Sequence, residues 1–252
     1  MTRLITGTIG AILALGALVS GAQEAQQAGP ATPPTPRAQA PIDLTGTWVS
    51  VVTEDWRWRM MTPPKGDYPS IPLNAEARKM ADAWDPARDT SAGEQCRSYG
   101  AAAIMRVPGR IRISWENDTT LRVDTEAGTQ TRRFVFGRPA QPAGEKTWQG
   151  SSVANWQFAG GRRGGGPARD GSLRVVTSGM RAGYLQKNGV PYSENAVVTE
   201  YFNRTNEPNG DQWLVVTTVV QDPQYLTSRF ARSSHFKKVA DTPWNPTGCE
   251  AS

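Results

Sequence analysis

One carboxylate in the sequence stands where a charge is costly. Glu200 lies in the segment VVTEYF, with Val198 and Phe202 two residues away on either side. Alternate residues of a strand point to the same face, so these three side chains share one face. A carboxylate in apolar surroundings either pairs with an arginine, which is the commoner case, or has its pKa raised until it can act as an acid or a base. Both interpretations of Glu200 stand.

Two more residues could carry a proton. His235 is the sole histidine, and the ordinary pKa of an imidazole suits a general base, although a solvated or structural histidine is the alternative. Asp55 is the other candidate. Zinc and copper sites need several nitrogen or sulfur ligands, which one histidine and two cysteines do not supply, so no metal is predicted. The sequence also lacks a nucleophile elbow and a dinucleotide motif, so no cofactor is predicted.

An arginine and a tyrosine complete the candidate catalytic set. Arg132 and Arg133 are consecutive, so one faces the side of the sheet that the other does not. Arg133 is the candidate for stabilising a developing negative charge. Tyr192, in the NGVPYS turn before the Glu200 strand, is expected to form the polar part of a pocket with Glu200. A cofactor-independent lyase, isomerase or hydrolase would use Glu200, Asp55, His235, Tyr192 and Arg133.

Candidate ligand-binding residues lie in DLTGTWVSVVTEDWRWRM, residues 43–60. Strand alternation puts Trp48, Trp56 and Trp58 on one face, which predicts a single long strand that ends as part of a barrel mouth. Arginines on its other face would meet a polar or acidic group. The candidate ligand-binding set is Trp56, Trp58, Arg57, Glu54, Tyr184 and Arg112, where amphipathic packing is the alternative for Tyr184 and a solvated outer face the alternative for Arg112.

The elements that position these residues are mostly strands. From residue 102 onward, short alternating runs are separated by tight turns, which predicts about nine or ten strands. The single convincing helix follows Asn74, which is expected to cap AEARKMADAW. The predicted fold is all-β: a single antiparallel, calycin-like barrel with one short accessory helix. A two-sheet β-sandwich is the alternative.

The N-terminal sequence and the cysteines predict an exported protein. Residues 1–22 have a basic start, a short apolar run and small residues before a cut, as in a signal peptide, and the run is too short to span a membrane. Residues 23–42 are rich in Pro, Ala and Gln and predict a disordered tether, which leaves 43–252 as the barrel domain. In an oxidising periplasmic or extracellular setting, Cys96 and Cys249 are expected to pair, with two unpaired thiols as the alternative.

Two resemblances rest on short motifs. The G-x-W at Gly46 resembles the lipocalin or calycin opening, in which the tryptophan plugs one end of a barrel. TWQGSSVANW, GYLQKNGVPYS, VVTEYF and QDPQYLT, in order over roughly residues 96–230, resemble an uncharacterised family of secreted or periplasmic Gram-negative proteins. That resemblance implies no activity. Some members carry histidines where this chain has Val190 and Tyr192, which argues against histidine or metal chemistry at this turn.

Three functions follow from these observations. The leading prediction is periplasmic binding of a small apolar or aromatic molecule inside the barrel, with Trp56, Trp58 and arginines at the mouth. The second is the acid-base enzyme described above. Carbohydrate binding is the third, and it rests on the nine tryptophans. The net charge of +5 is dispersed among acidic residues, so nucleic acid is not a predicted partner. The oligomeric state stays open.

Overall fold

The computed structural model describes residues 33–68, 70–137, 145–159 and 170–251. Nine strands close into a barrel, and β7 and β8 form a separate two-stranded sheet. The strands are β1 (Gly46–Val51), β2 (Arg110–Asn117), β3 (Thr120–Thr125), β4 (Thr131–Phe136), β5 (Ser151–Phe158), β6 (Gly171–Ser178), β7 (Gly183–Gln186), β8 (Val190–Tyr192), β9 (Val197–Asn206), β10 (Gln212–Gln221) and β11 (Phe230–Val239). The prediction of an all-β single barrel is confirmed, and closure of the sheet excludes the sandwich.

The order around the barrel is β1-β11-β10-β9-β6-β5-β4-β3-β2. Neighbouring strands are antiparallel except β4 and β5, which run parallel, with Phe134 opposite Ser152. A closed sheet with an odd number of strands cannot alternate direction throughout, so one parallel pair is required. The long connection over residues 137–150 allows it, because a parallel pair needs a crossover rather than a tight turn. The predicted antiparallel barrel thus contains this one parallel pair among the described strands.

Alternating burial along the strands builds the core. In β10, Leu214, Val216 and Val220 are buried, whereas Val215 and Thr217 between them are partly exposed. Trp48 is fully buried among the inward side chains, and its Nε1 donates to the Leu44 carbonyl at 2.9 Å. The tryptophan of the G-x-W motif therefore lies inside the barrel.

Three short α-helices accompany the barrel: α1 (Trp56–Arg59), α2 (Ala75–Asp82) and α3 (Pro86–Ser91). The Asn74 side chain accepts a hydrogen bond from Ala77 N at 2.9 Å, so the predicted cap of α2 is confirmed. Two 3-10 helices follow, Gln95–Tyr99 and Ile104–Arg106. The second lies at the start of the region from residue 102 onward in which the sequence predicts strands. None of the helices in the described residues is long and apolar enough to cross a membrane.

The prediction of one strand through Met60 is wrong. β1 ends at Val51, the last residue that pairs with β11, and Asp55 then adopts a left-handed conformation with φ 50°. Beyond the last partner strand the backbone forms its hydrogen bonds locally, as when Met60 N donates to the Trp56 carbonyl at 2.9 Å. Trp48 is consequently buried inside the barrel, whereas the Trp56 side chain is 61% exposed.

Both ends of the domain are fastened to the barrel. Cys96 and Cys249 form the predicted disulfide, which joins the C-terminal segment to the 3-10 helix Gln95–Tyr99. At the other end, Trp156 Nε1 donates to the Pro36 carbonyl at 2.8 Å and Ile42 is buried. The compact unit thus begins at Pro34, within the segment predicted as a tether. The predicted signal peptide and residues 23–32 of the tether lie outside the described residues.

Candidate functional site

Side chains fill the middle of the barrel. Four aromatic residues lie there with no exposed surface, namely Trp48, Phe134, Phe202 and Phe236. Phe134 and Phe202 pack with ring centroids 5.3 Å apart. An eight- or nine-stranded barrel is just wide enough for its interior to be filled in this way. These side chains occupy the space where the sequence predicts a ligand pocket. The candidate binding sites are therefore clefts at the end of the barrel and on its walls.

Glu200 faces the interior and is paired. Its Oε1 accepts from Arg132 Nη1 at 2.9 Å, and its Oε2 accepts from Arg132 Nη2 at 2.6 Å. Both side chains are fully buried. The pairing interpretation of Glu200 is confirmed, and this bidentate contact engages both carboxylate oxygens. Arg133 faces outward on β4 and pairs with Glu116 at 2.7 Å, so it does not join Glu200.

Tyr192 is a second fully buried polar residue. Its hydroxyl lies against Gly100 and Gly183, where a Cβ on either glycine would collide with it. Among the described residues, Tyr192 Oη has no hydrogen-bond partner. Burial raises the pKa of Tyr192, and the positive charges of Arg132 and Arg181 offset that rise only in part. Tyr192 is therefore a neutral, packed phenol, which does not suit the expected role as a proton carrier.

A second group of predicted residues meets where β1 gives way to α1. Glu54 Oε2 lies 2.8 Å from His235 Nδ1 and accepts from the Thr53 hydroxyl at 2.8 Å. Glu54 Oε1 accepts from Arg59 Nη1. Burial alone would raise the pKa of Glu54, but the Thr53 and His235 hydrogen bonds and the charge of Arg59 together lower it. Glu54 thus stays ionised and holds His235 by one ring nitrogen.

Asp55 anchors α1 to two other segments. Its Oδ2 lies 3.1 Å from Arg106 Nη1 and 3.0 Å from Arg232 Nε. Arg59 adds a third link, because its Nε donates to the Arg106 carbonyl at 2.9 Å. Left-handed residues other than glycine are uncommon and cluster at functional sites, although aspartate tolerates the conformation better than most. The ion pairs fix α1 and its arginines at this end of the barrel.

A cleft opens beside α1, and its charged lining is entirely cationic. The charged residues are Arg59, Arg106 and Lys187, and the apolar lining residues are Trp58, Ala103, Val107 and Leu185. Two lining residues carry buried donors without a partner among the described residues, at Arg59 Nη2 and Trp58 Nε1. Burial lowers the pKa of Arg59 and of Arg106, and the charges of Glu54 and Asp55 oppose this effect. We call this space the α1 cleft.

The remaining predicted ligand-binding residues lie apart from the α1 cleft. Trp56 is exposed on α1, and Arg57 forms an ion pair with Asp67 at 2.8 Å. Tyr184 lies in a separate cleft, where its hydroxyl donates to Asp89 at 2.9 Å and accepts from Arg97 at 3.1 Å. Arg112 points outward from β2, toward Asp241 and Trp244.

Sequence reasoning identified Trp58 but missed the other side chains of the α1 cleft. Arg106 lies in the region from residue 102 onward, where the sequence predicts strands, and Lys187 lies within the GYLQKNGVPYS motif, whose resemblance implies no role for it. Arg59 was visible in W-R-W-R but was placed on the wrong face. Since three separate segments supply the lining, no local spacing could have shown it.

Within the described ranges, no group of three or more His, Cys, Asp or Glu side chains could hold a metal ion. Comparison of the chain with protein-family models, with curated proteins and with solved structures finds no match.

Proposed function

We propose that this protein binds a small molecule with an anionic head and an apolar or aromatic body, and that the α1 cleft receives the head. One observation carries the proposal: within the described part of the chain, Arg59 Nη2 and Trp58 Nε1 are buried donors without partners, and both residues line the same cleft. A buried donor left unpaired costs about 1–3 kcal/mol. An acceptor that enters the cleft would remove that cost.

The charge of the lining favours a carboxylate or a similar anion. Arg59, Arg106 and Lys187 contribute three cations, and Glu54 and Asp55 pair with the two arginines from outside the lining. Arg59 already donates through Nε and Nη1, so its Nη2 can add one charge-assisted hydrogen bond to a carboxylate oxygen. Lys187 adds a positive charge with which the ligand could pair without disturbing these two ion pairs.

The size of the cleft decides how much of the ligand it encloses. The room for water-sized groups is about 20 Å³, which is close to the space that one water needs. The enclosed space therefore admits about one carboxylate oxygen, and an aromatic ring does not fit. The body must lie toward the open side, against Trp58 and Leu185, or α1 must move outward to admit it.

Titration calorimetry with matched acid and amide probes tests the proposal. Benzoate and hexanoate carry the anionic head, and benzamide and hexanamide keep the shape without the charge. We expect the acids to bind at least about tenfold more tightly than the amides, because an amide has no charge and carries an NH2 donor in place of one acceptor oxygen. Lys187→Gln should weaken the binding of the acids, whereas Lys65→Gln, which alters an exposed lysine outside the lining, should leave it unchanged. Equal affinity for acid and amide would contradict the proposal.

The setting that we propose is periplasmic or secreted. The Cys96–Cys249 disulfide supports it, because disulfides persist in oxidising compartments. Recovery of the protein in the periplasmic or extracellular fraction of its host, without residues 1–22, would test both the setting and the signal peptide. The resemblances to lipocalins and to the secreted Gram-negative proteins remain predictions.

Proton transfer at His235 is a second candidate function, favoured by one contact. Glu54 lies 2.8 Å from Nδ1, an arrangement that orients an imidazole for work at its other nitrogen. The ring is about one third exposed, so a substrate could reach it. The test is elimination of 5-nitrobenzisoxazole, a general probe of base catalysis, with His235→Gln as the variant. Turnover that survives this substitution would exclude the role.

A further inference from the structure

A groove on the outer wall of the barrel, far along the chain from α1, has the composition of a binding site. Outward side chains of β2 and β3 form its floor, among them Arg112, Arg122 and Asp124. The C-terminal segment, residues 240–251, contributes Trp244 to its lining. The volume is about 320 Å³, at the lower end of the range for small-molecule pockets.

Trp244 and Arg112 form the aromatic side of the groove. The Arg112 guanidinium carbon lies 4.7 Å from the centroid of the Trp244 ring, and Arg112 Nη2 donates to Asp241 at 3.0 Å. Arg112 Nε is a buried donor without a partner among the described residues. The stacked pair therefore presents a flat ring beside an unused hydrogen-bond donor.

The segment that carries Trp244 is held in place just after this residue. Thr129, which lines it, has φ 50°, a marked outlier for a β-branched residue. Its hydroxyl donates to the Thr247 carbonyl at 2.8 Å, and two residues further on Cys249 is bonded to Cys96. A strained residue, a hydrogen bond and a disulfide thus fix the position of this segment.

The floor of the groove alternates donors and acceptors while its charges balance. Arg122 Nε donates to Asp124 Oδ2 at 2.8 Å, and the Thr131 hydroxyl donates to Asp124 Oδ1 at 2.6 Å. Arg112 is matched by Asp241. The lining holds two arginines and one aspartate, and Asp241 from outside it balances the second arginine, whereas in the α1 cleft Lys187 adds a positive charge to two arginines that are already paired. The hydrogen-bond donors and acceptors that remain suit a neutral ligand that is rich in hydroxyl groups.

We propose that this groove binds a neutral saccharide, with one sugar ring against Trp244 and its hydroxyls on Arg112, Arg122 and Asp124. The polar contacts require a ligand that both donates and accepts, which a hydroxyl does and a carboxylate or an ammonium does not. The apolar face of a sugar ring suits a tryptophan, whose ring supplies apolar area with few rotamers to order. This site is separate from the α1 cleft and does not depend on its ligand.

Calorimetry and saturation-transfer NMR with cellobiose, maltose and N,N′-diacetylchitobiose test this proposal. We expect at least one of the three to bind, and Trp244→Ala to weaken its affinity by about tenfold or more. Trp244→Phe should keep most of the affinity because a ring remains. Trp56→Ala, which removes an exposed tryptophan at α1, should leave sugar binding unchanged.

Failure of all three sugars to bind would overturn the proposal, as would full affinity in Trp244→Ala. If that variant melts at a lower temperature than the parent chain, Arg122→Gln decides instead, because its partly exposed side chain can change with less effect on the fold. A several-fold loss of affinity in Arg122→Gln supports the groove, and unchanged affinity overturns it.

Discussion

Arg132 and Glu200 face each other inside the barrel through two hydrogen bonds, of 2.9 and 2.6 Å, and neither side chain has any exposed surface. They come from β4 and β9, which are not neighbours in the sheet, so the pair spans the interior. Thr177 accepts a further hydrogen bond from Arg132 Nη2 at 3.3 Å. A carboxylate held in this way stabilises the fold. Its replacement should therefore lower the free energy of unfolding.

Replacing Glu200 by glutamine should destabilise the protein strongly. The amide keeps the shape but leaves the Arg132 charge buried without its partner, which costs about 3–5 kcal/mol. Urea unfolding followed by tryptophan fluorescence measures the change. The double variant Arg132→Met/Glu200→Leu should recover much of the loss, since apolar residues of similar volume often replace a buried ion pair at little cost. A Glu200→Gln variant as stable as the parent chain would contradict the buried pair.

Trp48 and Trp56 should respond in opposite ways to alanine. Trp48 is fully buried inside the barrel, so Trp48→Ala opens a cavity and should cost about 3–5 kcal/mol. Trp56 is 61% exposed, and Trp56→Ala should stay within about 0.5 kcal/mol of the parent chain. Thermal unfolding of both variants tests this contrast. Equal destabilisation would mean that α1 is a continuation of the strand after all.

Reduction of Cys96–Cys249 should lower the unfolding free energy. The bond closes a loop of 153 residues, and a cross-link over a loop of this length contributes about 4–5 kcal/mol in the chain-entropy account. The measurement is urea unfolding with and without reductant. A Cys96→Ser/Cys249→Ser variant, insensitive to reductant, is the control. Free thiols in the native, unreduced protein would refute the bond itself.

The contribution of Glu54 to stability should depend on pH. Its pKa in the folded protein lies below the ordinary value of 4.5. The ionised form is therefore favoured by folding, so its stabilising effect is present above pH 4.5 and is lost as the pH falls through the folded value. The difference in unfolding free energy between the parent chain and Glu54→Gln should shrink on acidification. Glu207→Gln, at an exposed position, is the control. A difference that grows in acid would reverse the assigned direction.

The sequence predicted what depends on alternation and on local capping. Alternating burial in strands such as β10 follows directly from the period of two, and Asn74 caps α2 through contacts within three residues. The cysteine pair followed from redox chemistry. Each of these depends on a pattern that a short stretch of chain carries by itself.

Other features depend on partners that the sequence does not specify. Alternation requires Arg132 and Arg133 to face opposite sides, but only the position of Glu200 across the barrel decides which one is buried. The spacing of Trp48, Trp56 and Trp58 matches a strand by coincidence. β1 pairs with β11 only as far as Val51, so the strand ends before Trp56. The α1 cleft likewise joins segments that lie far apart in the chain.

The most direct test of the proposed function is the indole signal of Trp58 in a ¹⁵N–¹H correlation spectrum. Among the residues that the structure describes, its Nε1–H is one of the two unpartnered donors of the α1 cleft, and its cross-peak is identified as the one missing from Trp58→Phe. Titration with benzoate should move this cross-peak to lower field as the carboxylate accepts its hydrogen bond, while benzamide leaves it in place. A Trp58 cross-peak that does not shift on addition of benzoate, or that shifts equally with benzamide, would contradict the binding of an anionic head in the α1 cleft.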